Sequence, residues 1–334
     1  MFMAYIEINK DNFYFNLKEL SRCAGGVDAI AIVLKDNAYG HGLEIMAKFS
    51  SEFGITNAVV KDKKEASLIQ KYFKKILILN DNPIVSDKFY FAINDIKDLK
   101  NIKKDINIEL KIDTGMHRNG ISIKEIDKAL DIISDKKINL VGVMTHYKSA
   151  DKLGSDFFWQ QKIFQKVLSK IRDRGFKNFR VHSHNSSALL RINKFTEDIV
   201  RVGISAYGYN ELDSVFNKIK LKPVLSLFAT RVSSKLLKKG SRIGYGGGIT
   251  LNKNNIISTY DLGYGDGWFR SNKGYMLPSG IKILGKVSMD FISLASIEDN
   301  LCIMNNAQIT AKFFDTISYE IMTNLDSNIK RFIT

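Results

Sequence analysis

The chain has 334 residues, of which 45% are hydrophobic and 25% are charged, with only three prolines. This composition is typical of a globular protein and excludes an intrinsically disordered chain. Lys and Arg number 50 against 35 Asp and Glu, so the formal net charge is +15. The basic residues are scattered along helical patterns without a DNA- or RNA-binding motif. We therefore interpret them as a solvated surface and expect no nucleic-acid partner.

The cysteine content and the N-terminus indicate the compartment. Cys23 and Cys302 are far apart in the sequence and lack the spacing of a zinc site or a disulfide framework, so no metal is expected. The N-terminus has no signal-peptide pattern, and no run of 18 apolar residues occurs. These features predict a soluble, cytoplasmic protein without a membrane partner.

Up to about residue 205, short apolar runs alternate with helical patterns, which is typical of parallel βα units. The predicted strands are DAIAIVLK, NAVV, ILILN, FYFAI, INIELKI, INLVGVMTH, FRVHSH and EDIVRVG. Eight strands alternating with helices indicate an α/β fold, a (β/α)₈ TIM-like barrel, to which we assign residues 1–218.

After Tyr209 the pattern changes to β-rich segments separated by turn residues, as in LKPVLSLFATRVSS, NNIISTYDLGYG and IKILGKVSMDFISLASI. We expect residues 219–334 to form a smaller, all-β C-terminal domain. The N-terminal segment AYIEIN is expected to add a strand to that domain.

Polar residues end several predicted barrel strands. They are Lys35, Lys111, His146, His182 with His184, and Arg201. Each of them alone is most often a residue that meets solvent. Because the βα loops converge over the C-terminal strand ends, where barrel enzymes carry their active sites, the joint placement of these residues predicts a site.

A lysine held partly desolvated beside other cations loses proton affinity and can form a Schiff base, so Lys35 suits pyridoxal phosphate. Two segments could hold the phosphate. NAYGHG supplies the Tyr39 hydroxyl, and HNSSALL places Asn185 and Ser186 at a predicted helix N-terminus, where backbone N–H groups favour an anion. Gly203, in RVGISAYG, permits close approach of the backbone.

These residues lie in motifs that resemble those of the bacterial alanine racemases, which are pyridoxal-phosphate enzymes with an eight-stranded α/β barrel and a β domain. The matching blocks, in family order over nearly the whole chain, are AIVLKDNAYGHG, LKIDTGMHRNG, VMTH, HSHNSSALL, RVGISAYG, IGYGGGIT, LGYGDGW and VSMD. The resemblance implies interconversion of L- and D-alanine, which supplies D-alanine for peptidoglycan.

The resemblance also implies two catalytic bases. Lys35 would hold the cofactor covalently and act as one base. Tyr245, contributed by the partner subunit, would be the other, so a homodimer with shared active sites is expected. Bases on opposite faces of a planar carbanion can exchange the Cα proton. A free tyrosine titrates at about 10, and the resemblance makes His146 its hydrogen-bonding helper.

Further roles follow from the resemblance. Arg201 would face the pyridine nitrogen with His182 behind it. Arg118 would bind the cofactor's phenolic oxygen and the substrate carboxylate, oriented by Lys111, which is often N-carbamylated in this family. The implied phosphate shell is Tyr39, Ser186, Gly203 and Ile204, and the partner's substrate and access residues are Tyr264 and Met289.

Three positions depart from the family pattern. His117 occupies a position often held by glycine, and Val202 one often held by proline, but neither change removes a required group. Ser327 stands where some relatives have a phosphate-binding tyrosine.

Other functions remain open from the residues. A broad-specificity or different amino-acid racemase would share this scaffold, because the sequence does not reveal the pocket volume. A related pyridoxal-phosphate decarboxylase would leave Tyr245 without a role as a base. A non-enzymatic protein that binds pyridoxal phosphate is the third alternative.

Overall fold

The computed structural model describes residues 4–216, 219–271 and 274–334. Its strands are β1 Tyr5–Ile8, β2 Ile30–Val33, β3 Asn57–Val60, β4 Lys75–Ile78, β5 Phe89–Ile93, β6 Asn107–Lys111, β7 Asn139–Met144, β8 Arg180–His182, β9 Val200–Val202, β10 Leu225–Leu237, β11 Arg242–Ile243, β12 Ile249–Thr250, β13 Asn255–Tyr260, β14 Ile283–Leu284, β15 Ile292–Leu294, β16 Asn300–Met304 and β17 Lys330–Ile333. Its right-handed α-helices are Lys10–Ala24, Leu43–Glu52, Lys63–Ile69, Ile96–Asn101, Ile126–Asp135, Asp156–Asp173, Ser186–Arg191, Ala307–Phe314 and Ser318–Thr323.

Strands β2 to β9 form one parallel sheet in the order β8-β7-β6-β5-β4-β3-β2-β9. Strand β2 pairs with both β3 and β9, so the strands that come first and last along the chain in this sheet, β2 and β9, are neighbours. An isolated parallel bridge between Asn185 and Arg201 joins the segment after β8 to β9 and closes the ring. The predicted (β/α)₈ barrel is confirmed, and each of its eight predicted strands is present.

Strands β2, β3 and β4 are apolar along nearly their whole length because both of their faces are covered. All four residues of β2 are buried, as are the last three residues of β3 and of β4. Parallel strands enclosed on both faces lose the alternation of polar and apolar residues. The covering helices show helical spacing instead, as in Ile126–Asp135, which buries Ile126, Ala129, Leu130 and Ile133.

A second sheet is built mainly from the C-terminal part of the chain. It has the order β14-β15-β13-β10-β1-β17, and β16 also pairs with β10. Strand β1 lies antiparallel to β10, with Ile6 opposite Leu227, and parallel to β17. The N-terminal strand therefore belongs to the sheet that the end of the chain completes.

The chain divides into two compact units. One consists of residues 14–38 and 43–221, and the other of residues 39–42 and 222–334 together with the described residues up to Phe13. The predicted boundary at residue 218 itself lies outside the described residues.

The C-terminal domain was expected to be all-β. Its strand-rich character is confirmed, but it also contains the helices Ala307–Phe314 and Ser318–Thr323. The Asn306 side chain caps the first of these helices by accepting the N–H groups of Gln308 at 2.9 Å and Ile309 at 3.3 Å. Short apolar runs do not separate strand from helix by period alone, which is why this helix was not predicted.

Every helix within residues 4–216, 219–271 and 274–334 is too short or too polar to cross a bilayer. In the same residues no group of three or more His, Cys, Asp or Glu side chains is arranged to hold a metal ion.

Candidate active site

Five of the predicted site residues lie together at the C-terminal ends of the barrel strands. Lys35 follows β2, Lys111 ends β6, and His146 comes two residues after β7. The imidazole of His146 is close enough to Lys35, Lys111, Arg118 and Arg201 for all four charges to act on it. The structure therefore brings these residues into one cationic cluster.

Lys35 is followed at once by a left-handed turn. Asp36–Tyr39 all have φ between 52° and 55°, a conformation that costs an L-residue about 1–2 kcal/mol. Asn37 holds the turn, because its N–H donates to Glu65 Oε1 at 3.2 Å and its Oδ1 accepts the Leu43 N–H at 2.8 Å. Lys35 Nζ, on a partly exposed side chain, donates to Asp36 Oδ2 at 3.0 Å. The turn thus fixes the direction of the backbone immediately after the lysine, which lies two residues beyond the end of β2.

Arg201 is almost fully buried, and its guanidinium is held by acceptors on two sides. Nη1 donates to His182 Nδ1 at 2.7 Å and to the His182 carbonyl at 2.8 Å. Nη2 donates to the carbonyls of Thr145 at 2.7 Å and Ser183 at 3.2 Å. Burial lowers the pKa of Arg201 to about 10, so it remains a cation at neutral pH. Among the described residues nothing accepts its Nε–H, which is left as a fixed donor.

His182 is neutral, and its tautomer follows from its partners. Arginine only donates, so His182 Nδ1 must accept from Arg201, and the ring proton must be on Nε2. Nε2 lies 2.5 Å from Glu109 Oε2, to which the Nε2–H group donates a hydrogen bond. Burial lowers the pKa of His182, in agreement with a neutral ring. Glu109 was not identified from the sequence, although a carboxylate inside the apolar run INIELKI is a visible signal.

His146 is neutral for a different reason. Loss of water around the ring lowers its pKa most, and the nearby positive charges lower it further, to about 3. At neutral pH the ring therefore carries one proton and can donate one hydrogen bond and accept another. Its predicted hydrogen bond to Tyr245 stays a prediction.

Lys111 and Arg118 lie beside each other in the cluster. Burial, followed by the charges of Arg118 and Arg201, lowers the pKa of Lys111 to about 8. Lys111 Nζ donates to Asn94 Oδ1 at 3.4 Å. Arg118 is exposed, and within the described part of the chain its guanidinium forms no hydrogen bond or ion pair. It is therefore available to an anionic ligand.

The turn that carries Arg118 explains the unusual residue before it. His117 has φ 56°, in the left-handed region where glycine has no steric penalty. Asp113 Oδ1 accepts the N–H groups of Gly115 and His117 at 3.0 Å, and Asp113 Oδ2 lies 3.2 Å from His117 Nδ1. This contact helps to hold a conformation that a glycine would adopt without it.

Hydrogen-bond donors meet where the loop after β8 approaches β9. Asn185 Oδ1 caps the following helix by accepting the Ala188 N–H at 2.9 Å. Ser186 Oγ accepts the Gly203 N–H at 3.0 Å, so its own hydroxyl proton can be donated. In the described part of the chain the Ile204 N–H has no acceptor. Two donors therefore remain for an anion at this position.

Tyr39 belongs to the compact unit that contains the C-terminal domain. Its ring is buried, with the Tyr319 ring centroid 5.6 Å away. In the next residue, a Cβ at Gly40 would lie 2.1 Å from the Met322 carbonyl oxygen, so only glycine fits there. The Gly40 carbonyl accepts a hydrogen bond from Arg331 Nη2 at 2.9 Å.

Three further predicted site residues are exposed on the strand-rich domain. Tyr245 begins a 3₁₀ turn and is 64% exposed, and Tyr264 and Met289 are also exposed. The loops of the latter two are joined, because the Gly265 N–H donates to the Met289 carbonyl at 2.8 Å. Ser327 is exposed, and its carbonyl accepts from Arg331 Nη1 at 2.8 Å.

Comparison with known proteins identifies the family. The models of the alanine racemase N-terminal and C-terminal domains match residues 8–211 and 224–333. The alanine racemase of a Nitratiruptor species is 44% identical over 333 residues, which cover 98% of this chain and 99% of the relative. That of Campylobacter concisus is 43% identical, with the same coverage.

Solved structures agree in fold. The alanine racemase of Bacillus anthracis, solved with bound L-Ala-P, has a TM-score of 0.90 and 25% identity, covering 100% of this chain and 96% of that one. The alanine racemase of Bartonella henselae, which contains covalently bound pyridoxal phosphate, has a TM-score of 0.84 and 23% identity, covering 100% of both chains. This chain therefore belongs to the alanine racemase family.

Proposed function

We propose that the protein interconverts L- and D-alanine with pyridoxal phosphate as its cofactor. The observation that carries the proposal is the cluster at the barrel mouth, where the charges of four residues act on His146: Lys35, Lys111, Arg118 and Arg201. The full-length similarity to alanine racemases supports the same reaction. We further propose that the D-alanine supplies peptidoglycan synthesis.

Several polar groups of the barrel fit the chemistry of this cofactor. Its phosphate needs donors, which the Ser186 hydroxyl and the Ile204 N–H offer. Its pyridine nitrogen needs one fixed donor, which Arg201 Nε–H offers. Its phenolic oxygen suits the free guanidinium of Arg118, and its aldehyde suits the amine of Lys35. When bound, the cofactor supplies an electron-withdrawing ring that acidifies the Cα of an attached amino acid.

Arg201 and His182 would restrain that ring. Because the pKa of Arg201 stays near 10, the guanidinium keeps its protons and shares only a hydrogen bond with the pyridine nitrogen. His182 accepts from Nη1 and stays neutral behind it. Arg201 would therefore disfavour protonation of the ring nitrogen, which limits side reactions such as transamination.

The two bases are proposed to be Lys35 and Tyr245, with Tyr245 contributed by a second copy of the chain. The exposure of the Tyr245 phenol supports a contact of this kind. One base removes the Cα proton and the other returns a proton on the opposite face. In the same proposal Tyr264 and Met289 of the second copy contact the substrate and its access route, and Tyr39 adds a hydroxyl to the phosphate donors.

Lys111 is proposed to carry a carbamate. With a pKa of about 8, roughly a fifth of this amine is unprotonated near pH 7.4 and can attack carbon dioxide. The attack forms an N–C bond and releases one proton from the amine to solvent, so the product is a carbamate anion beside Arg118, which it would orient toward a substrate carboxylate. Growth of the carbamate signal in carbon-13 NMR spectra with labelled bicarbonate, and its loss in Lys111→Met, would test this modification.

The reaction is tested by incubating the purified protein in D₂O with single amino acids. L-Alanine should gain deuterium at Cα and yield D-alanine. Exchange confined to serine, lysine or arginine would identify a different racemase, and release of carbon dioxide would identify a decarboxylase. The proposed cytoplasmic location agrees with two free cysteines, which a reducing compartment keeps as thiols.

A further inference from the structure

A buried ion pair extends the Arg201 network into the barrel interior. Glu109 is in the middle of β6 and is fully buried, between the apolar residues Ile108 and Leu110. It accepts hydrogen bonds from Arg180 Nε at 2.6 Å and from His182 Nε2 at 2.5 Å. Arg180 and His182 are two residues apart on β8, so both side chains lie on the same face of that strand.

The neighbouring strand leaves room for this carboxylate. Gly142 of β7 is the register partner of Glu109, and a Cβ built on it would lie 2.7 Å from both Cγ and Cδ of Glu109. Real Cβ atoms do not approach other atoms so closely. The backbone of β7 therefore accommodates Glu109 through a missing side chain, which indicates a site built for a buried acid.

We propose that Glu109 and Arg180 are positioning residues, which hold His182 as the neutral Nε2–H tautomer and thereby fix the orientation of Arg201. Glu109 accepts a hydrogen bond from the Nε2–H group, so Nδ1 is left to accept a hydrogen bond from Arg201. Arg180 balances the charge of Glu109, so His182 does not need to become a cation. The proposal rests on the proposed function in one respect only: that function supplies the cofactor whose pyridine nitrogen Arg201 would contact.

Each partner prevents a different failure. Without the carboxylate, His182 could adopt the Nδ1–H tautomer. Its Nδ1–H group would then point at the Nη1–H group of Arg201, so two donors would face each other. Without Arg180, the carboxylate would draw a second proton onto His182, with the same clash at Nδ1. The pKa values agree with the present balance: burial alone would raise that of Glu109, but Arg180 and His182 outweigh it and lower it to about 2.

The first test measures the wild-type protein and uses a variant only to assign its signals. The chain has five histidines, so the imidazole nitrogen-15 spectrum of the purified holoprotein can be assigned, with the His182→Gln spectrum identifying one pair of signals. Between pH 6 and 9, His182 should have a protonated Nε2 and an unprotonated, hydrogen-bonded Nδ1. An imidazolium or an Nδ1–H tautomer would overturn the proposal.

The second test compares three variants by the same measurement. Glu109→Gln should make the His182 tautomer mixed, and Arg180→Gln should raise the pKa of His182, because Glu109 would then have no other cation to pair with. Glu197→Gln is the control, since Glu197 is another largely buried carboxylate, with its side chain 9% exposed, and lies 3.0 Å from His184 Nδ1. It should move the His184 signals and leave the tautomer of His182 unchanged. His182 signals that stay at their wild-type positions in both Glu109→Gln and Arg180→Gln would overturn the proposal.

Kinetics add an independent readout. In Glu109→Gln, kcat for alanine should fall about 10- to 100-fold, the usual effect of removing a group that orients an active-site residue. KM should change less than about 2-fold, because Arg118, the proposed carboxylate partner, is untouched. If Glu109→Gln does not fold, the wild-type spectrum and Arg180→Gln still decide. A wild-type protein that racemises nothing would refute the proposed function and leave the tautomer measurement intact.

Discussion

The fit between Gly142 and Glu109 predicts a large effect from one methyl group. In Gly142→Ala, the new Cβ would lie 2.7 Å from Glu109 Cγ and Cδ, about 1 Å inside a normal contact. The glutamate can move only by lengthening its hydrogen bonds to Arg180 and His182. Overpacking of a buried position costs about 1–3 kcal/mol, and disturbing the buried ion pair adds to this cost. We therefore expect the opening free energy of β6 and β7 to fall by about 2–3 kcal/mol, with larger values if the pair breaks.

Hydrogen exchange of β6 and β7 peptides, followed by mass spectrometry, measures this opening directly. A loss of about 2–3 kcal/mol accelerates exchange by roughly 30- to 150-fold where exchange is limited by the opening equilibrium. Gly154→Ala is the matched control: it makes the same change, no atom lies within 4 Å of its new Cβ, and its φ is not left-handed. If the two variants exchange alike in β6 and β7, the steric reasoning is refuted.

Three further predictions concern the proposed site. Lys35→Ala should abolish racemisation and the visible absorbance of bound cofactor. Lys61→Ala, which removes another lysine paired with Asp36, should keep both, and absorbance spectra and racemisation rates of the two variants test this difference. Mixed Lys35→Ala and Tyr245→Phe chains should regain activity through one intact hybrid site, and proven subunit exchange without recovery would contradict a shared site. In carbonate-free buffer the barrel should gain stability as the pH rises from about 8 toward 10.4, since Lys111 in the unfolded chain still binds a proton that it has lost in the folded protein. The midpoint of urea unfolding should rise over this pH range in the wild-type protein, and this contribution should be absent in Lys111→Met.

The barrel could be predicted because its strands are marked by composition alone. Strands buried on both faces are short apolar runs, and the helices between them repeat every three to four residues. The C-terminal strand ends of a barrel meet on one side, so the cluster around His146 also followed from where each run ends. The helix Ala307–Phe314 was missed because its apolar run is short, and a cap such as Asn306 is also a common turn residue.

The supporting residues were less accessible. Glu109 and His182 are 73 residues apart in the sequence, and their contact depends on the order of three adjacent strands. A single charged residue in an apolar strand signals a buried partner without naming it. The left-handed turn after Lys35 is equally hidden, since Ala38 and Tyr39 disfavour this conformation, and Asp36 and Asn37, which tolerate it, are also common in ordinary loops. Both features arise from contacts between segments rather than from local pattern.

His146 and His182 are neutral for different reasons, and together they restrict where the site can hold a proton. His146 cannot take a second proton near neutral pH because it has lost water contacts and faces four cations. His182 does not take one while Arg180 neutralises Glu109, and Arg201 keeps its own protons. A histidine at a barrel mouth is ordinarily the first candidate for acid–base work, because its unperturbed pKa lies near neutrality. Here burial and the surrounding charges remove that capacity from both rings, which agrees with the proposal that Lys35 and Tyr245 carry the proton exchanged with a substrate.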